Sequence, residues 1–205
     1  MSSIQATPTQ MFNSADNVLT AAKATDEAIK TVYAEMQAIN WTGHSFNLLA
    51  QRLNNIIPAF NDLLRTAVNI YPVNLYRASN NLLVGDKRPG EQRVEPAGSY
   101  EDLTNVTESG TETIFIDPPV ATKTKVTIDE AIGKAITQMD VIRSEVQALP
   151  YISENATQFK NKIVESCNSA TEGLTAFRPD FNEDIEESIK HMLEADNASI
   201  GNSPV

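Results

Sequence analysis

A single cysteine, Cys167, stands in this chain of 205 residues, so no intrachain disulfide can close and the redox compartment stays open. Tryptophan is as scarce, Trp41 being the only one, and aromatics make up 6% of the residues. That paucity, with Ala, Ile, Leu, Asn and Thr dominant, leans towards helices and away from a β-sandwich. No apolar run approaches the ~20 residues needed to span a bilayer, so stable membrane insertion is not expected. The first ten residues hold neither a basic n-region nor an apolar h-region, and no cleaved secretory signal is expected. The two histidines, His44 and His191, lack a paired acidic ligand spacing and do not suggest a metal site. Cys167 falls on an apolar seam with no neighbouring base to activate it, so a buried thiol is expected. Gly-rich phosphate loops, Gly-x-Ser-x-Gly elbows and Cys-x-x-Cys pairs are also missing. These absences point to a non-enzymatic protein without cofactors.

Positive charge is short as well, leaving a formal net charge of −11. The first 80 residues hold five basic and five acidic groups, so the whole excess lies after Asn80. An acidic chain with a neutral front half repels phosphate backbones and anionic lipid, which excludes nucleic acid as the expected partner. The run Glu183, Asp184, Glu186 and Glu187 reads as a solvated helix face, not a catalytic carboxylate pair.

Helical periodicity is what the chain does have. Val18, Ala22, Thr25, Ile29, Val32, Met36 and Ile39 step by alternating fours and threes, a heptad seam that predicts a helix packed lengthwise against another. After Asn40–His44 a second segment carries Phe46, Leu49, Leu53, Ile56, Phe60, Leu63, Ala67 and then Ile70. Pro58 predicts a kink near Asn54–Asn55, and Pro72 weakens the pattern before Asp86–Gly90 ends it. Residues 86–120, punctuated by Gly and Pro, read as a linker, with one short strand at Thr113–Ile116; a functional loop is the alternative. Heptads return with Ile128, Ile132, Ala135, Met139, Ile142, Val146 and Leu149. A fourth segment carries Ala156, Phe159, Ile163, Cys167, Ala170, Leu174, Phe177 and Phe181. Pro179 is expected to interrupt it before Ile185, Ile189, Met192 and Leu193 continue the apolar side.

Shifting the first half by 110 positions superposes the two sets of seams, from Val18 on Ile128 to Ile39 on Leu149. Glu35, Gln37 and Ala38 fall on Glu145, Gln147 and Ala148, Pro8 on Pro118, Trp41 on Tyr151 and Gly43 on Ser153. Unrelated hairpins of similar length could align in register by chance. The repeated Glu-x-Gln-Ala run just before corresponding turns favours an internal duplication. Each hairpin has an apolar seam that it cannot bury alone, and two can bury both as an antiparallel four-helix bundle.

A heptad helix, then Trp41-Thr42-Gly43, then Phe46 and Leu49 opening a second helix resembles the WXG family of the type VII (ESX) secretion system. The resemblance covers residues ~8–80 and, more weakly, ~118–197, so the chain looks like a fused pair of the family's helical hairpins with a degenerate second copy. It implies recognition of secretion machinery or an exported effector through Trp41, Gly43, Phe46, Leu49, Tyr151 and Ser153. It also implies a chain secreted without a cleaved signal, or cytoplasmic before export. The family's C-terminal Tyr-x-x-x-Asp/Glu signal is absent, because none of the five tyrosines has an acid four residues on. That departure adds weight to a partner or chaperone role. Independently of the family, Gly43 is expected to close the first helix in a left-handed conformation and Trp41 to pack across the end of the bundle.

The expected architecture is all-α, with hairpins at residues 1–85 and 121–205 joined by a linker at 86–120. The two would fold as a monomeric pseudo-dimer, with a homodimer as the alternative. The expected function is that of a type VII substrate or escort, and the alternative is a cytoplasmic helical adaptor or chaperone.

Overall fold

All seven positions of the first seam, from Val18 to Ile39, are buried, and so are all seven of the third, from Ile128 to Leu149. The computed structural model describes residues 7–110, 115–149 and 154–201. It is mostly helical, in four rods, with one small two-stranded sheet. The first rod is α1 (Pro8–Ala38). The second runs through α2 (His44–Arg65), a π-turn at Thr66–Ile70 and α3 (Tyr71–Gly85). The third and fourth are α4 (Pro118–Ala148) and α5 (Glu154–Gly201).

α1 and α4 are each 31 residues long, and each opens with a proline behind a capping side chain. Thr7 accepts from the Gln10 N–H in a capping box, and Asp117 accepts from the Val120 N–H; in both cases the cap occupies an otherwise orphaned first-turn donor. Both end in an extended residue, Ile39 at φ −61° and Leu149 at φ −67°. α1 packs against α4 and α3, α4 against α5, and α5 against α2. Polar contacts fix these registers. Glu145 accepts from Asn17 Nδ2 at 3.0 Å, and Glu35 accepts from Thr124 Oγ1 at 3.3 Å. Arg178 forks onto both carboxylate oxygens of Asp129 at 2.5 and 2.6 Å. Tyr71 Oη pairs with Ser14 Oγ at 3.1 Å. Lys160 Nζ, donating to the Leu149 carbonyl at 2.7 Å, occupies an acceptor at the end of α4 that the helix leaves open.

Two expectations change. α5 continues across Pro179, as α2 does across Pro58; both prolines face solvent, where water can reach the carbonyl that loses its partner. The second rod changes its winding at Thr66–Ile70 instead, where the Tyr71 N–H reaches Thr66 O, five residues back. Pro72 supplies the cause: its ring would collide with the carbonyl four residues earlier, that of Val68, in a continuous α-helix. The extra residue turns the helix face, so Ile70 is 38% exposed and Tyr71 only 2%. At the far end of α5, Leu193 is half-exposed while Ile189 and Met192 remain against the core.

The stretch expected as a linker leaves α3 through a turn with Lys87 at φ 58° and a short 3-10 turn at Pro89–Glu91. Residues 92–110 then run extended along α3 and α2 towards the Trp41 end. Of the expected strand, Phe115–Ile116 (β2) pairs antiparallel with Trp41–Thr42 (β1), while Thr113 and Ile114 lie outside the described residues.

Candidate interaction site at the Trp41 turn

The turn is built from the end of α1. Beyond Ile39 the chain tightens, with the Trp41 N–H donating to Ile39 O at 2.8 Å. Trp41 then faces Ile116 and Thr42 faces Phe115 across the two strands, and the Asp117 N–H donates to Asn40 O at 3.3 Å. Start of α4 and end of α1 are thereby stitched together. The Trp41 ring is 3% exposed and meets Phe46 edge to face at 6.0 Å between centroids. Phe46 and Leu49, on the first turns of α2, are 4% and 0% exposed.

Gly43 has a positive φ, 111°, but with ψ −172° this is not the left-handed helical region, and it opens α2 instead of closing α1. α1 needs no glycine because Ile39 already leaves it in an extended conformation whose N–H returns to Glu35 O. Trp41, Gly43, Phe46 and Leu49 therefore come together at one end of the molecule as buried residues. Tyr151 and Ser153 lie outside the described residues. His44, next to the turn, is exposed.

What covers the turn was not singled out in the sequence. Ser109 Oγ accepts from the Gly43 N–H at 3.1 Å, and Ser109 is the last rung of a regular arrangement. Asn47 donates its amide to Ser109 O at 3.0 Å and accepts the Ser109 N–H at 2.8 Å. Asn54 does the same to Val106 at 3.0 and 2.8 Å, and Asn61 to Leu103 at 3.4 and 2.9 Å. Further along, Asn80 does it to Arg93 at 2.8 and 2.9 Å. A primary amide in this pose presents one donor and one acceptor, as a neighbouring strand would.

The spacing follows from geometry. Seven helical residues rise about 10.5 Å, and three residues of extended or polyproline-like chain advance about 9–10 Å. Asparagines at 47, 54 and 61 can thus each meet every third residue of a straight strap. Its inward positions obey the same period: Tyr100, Leu103, Val106 and Ser109 are sheltered, and the residues between them are exposed. Both periodicities are visible in the sequence: the asparagines' seven is a heptad face of a helix, and the strap's three is neither an α-helical nor a strand period.

Charge and reactivity elsewhere are quiet. Burial pushes the Cys167 thiol up to about 12 and Tyr71 up to about 12, so neither ionises near neutrality. Asp129 is held below its ordinary value by the Arg178 guanidinium. Among the described residues no group of three His, Cys, Asp or Glu side chains is placed to hold a metal ion. No helix there is long and apolar enough to cross a membrane. Comparison with protein-family models, with curated proteins and with solved structures found no match.

Proposed function

We propose that this chain is a non-enzymatic protein-recognition module of a type VII (ESX-like) secretion system, built as an internally duplicated pair of WXG-like hairpins folded into one antiparallel four-helix bundle. The observation that carries the reading is the Trp41-Thr42-Gly43 turn between two long antiparallel helices, together with the return of the first helix 110 residues later. α1 and α4 support the duplication by equal length, corresponding proline starts, corresponding extended ends and mutual antiparallel packing. The corresponding glutamates Glu35 and Glu145 each accept from a residue of the other helix, Thr124 and Asn17.

The work of such a module is to bind secretion machinery or an exported effector at the Trp41 end, with Trp41, Gly43, Phe46 and Leu49 shaping the surface and Tyr151 and Ser153 as their counterparts. The module is itself exported or escorts another exported protein. Deleting the secretion ATPase of the source cell is expected to remove the protein, or the partner it escorts, from the culture medium. Affinity purification from that cell, followed by mass spectrometry, identifies the partner. Unchanged medium levels, together with recovery of no secretion-system or effector protein, would sink the proposal. None of the five tyrosines has an acid four residues on, which favours the escort role; a cytoplasmic helical adaptor is the second reading.

A further inference from the structure

We infer that the asparagine ladder on α2 and α3 is a binding site for an extended, acidic polypeptide segment of another protein, and that residues 93–109 occupy it in cis as a built-in stand-in. The inference stands on the ladder itself and goes beyond the secretion reading.

Each rung reads main chain. Asn47, Asn54 and Asn61 contact the N–H and C=O of Ser109, Val106 and Leu103, so the bonds are available to any straight peptide in register. Side-chain selectivity would come from the sheltered positions, one in three, of which Val106 alone is fully buried within the strap. Charge complementarity accompanies the rungs over residues 95–108. Helix residues Arg65 and Arg77 meet strap residues Asp102 at 2.5 Å and Glu95 at 3.0 Å, and Gln51 donates to Glu108 at 3.0 Å. Over that stretch the ligand side is acidic; at Arg93 the sign reverses, its guanidinium lying 4.0 Å from Asp16 of α1.

The cis strap does not use the site fully. Beyond Asn61 the next asparagine is Asn69, displaced by the extra residue of the π-turn, and its Oδ1 is buried with no hydrogen-bond partner among the described residues. There the strap crosses as Gly98, where a β-carbon would run into the Val68 carbonyl oxygen. A buried acceptor left open is costly, and a second segment following the ladder from Asn47 past Asn61 could satisfy it. The strap also has little local protection, being irregular, largely exposed and held mainly by side-chain amides. Release of it would uncover Gly43 and the Trp41 turn, since Ser109 is its contact there.

The test uses the full chain and a fluorescein-labelled synthetic peptide of residues 93–110, followed by fluorescence anisotropy. Gly98→Ala lifts the strap at Val68 and Val106→Asp charges its buried position, while both leave the ladder intact. Circular dichroism and thermal melts establish that each variant folds. The expected result is peptide binding at least about tenfold tighter in these variants than in the wild type, whose tethered strap competes at high effective concentration. Adding Asn54→Ala and Asn61→Ala should abolish that gain, and so should N-methylation of the peptide at Leu103 and Val106. Replacing the outward Thr104 and Asn105 of the peptide by alanine should leave binding unchanged. No binding to folded Gly98→Ala overturns the inference, as does binding that survives loss of both amides. If neither variant folds, the wild-type chain is titrated to millimolar peptide: faster hydrogen exchange at the Leu103 and Val106 amides supports displacement, and unchanged exchange overturns it.

Discussion

Gly43 sits at φ 111° and ψ −172°, a region that essentially only glycine occupies. Gly43→Ala is therefore expected to cost ~1–3 kcal/mol, measured as a lower urea midpoint at unchanged slope. Gly133→Ala is the control: it lies inside α4 with nothing within 4 Å of an added β-carbon, and should stabilise by roughly 0.5–1 kcal/mol. Trp41→Ala removes a ring that is 3% exposed and should cost ~3–5 kcal/mol if the ring serves as core. Intact stability with lost partner binding would instead make it an interaction residue. The Trp-x-Gly spacing announces a turn with a glycine at positive φ, and Gly43 is that residue. It did not announce which helix the glycine serves. That depends on Ile116 and Ser109, which reach the turn from far along the chain and leave no trace in the local spacing.

Between elements, the rods were legible wherever burial follows a period near 3.5 residues, and they became illegible where another period takes over. The seam through Phe46 to Ala67 is buried as read, but the π-turn adds one residue and hands the core position from Ile70 to Tyr71. Ile70→Ala should accordingly shift stability by less than about 1 kcal/mol, and Tyr71→Ala should cost ~3–5 kcal/mol. A reversal of that order in denaturant unfolding would show that the face does not turn. The strap escaped because its period is three, and its asparagines, polar and seven apart, look like solvent-face residues until the segment they grip is in view. Pairing between α4 and α5 carries a pH signature. The Arg178 fork keeps the Asp129 pKa below its ordinary 3.8, so the unfolded chain takes up the proton first as the solution is acidified. The stabilisation is complete above about pH 5 and is lost as pH falls through the folded value. Wild-type protein should therefore lose more Tm between roughly pH 5 and 2 than Asp129→Asn does, and parallel Tm curves would disprove the linkage.

At the scale of the whole chain, the apolar seams explain why its two halves stay together. α1 buries its seam mainly against α4 and α3, and α5 buries its own against α4 and α2, so each half of the chain supplies the other's cover. A hairpin cut from its companion would leave two buried stripes facing water, which at about 25 cal/mol per Å² is far more apolar surface than a small domain can leave wet. In the proposed bundle the strands β1 and β2 lock the same relation at one end, because Trp41 belongs to the first half and Ile116 leads into the second. Pairing within a chain proceeds at an effective concentration in the millimolar range, well above that of free protein in ordinary solution work. The expected species is thus a monomer, giving a light-scattering mass near 22.5 kDa that does not change on dilution through the micromolar range. Twice that mass, held constant on dilution, would show that the halves find their partners in a second copy, and the intramolecular bundle would have to be given up for an exchanged one.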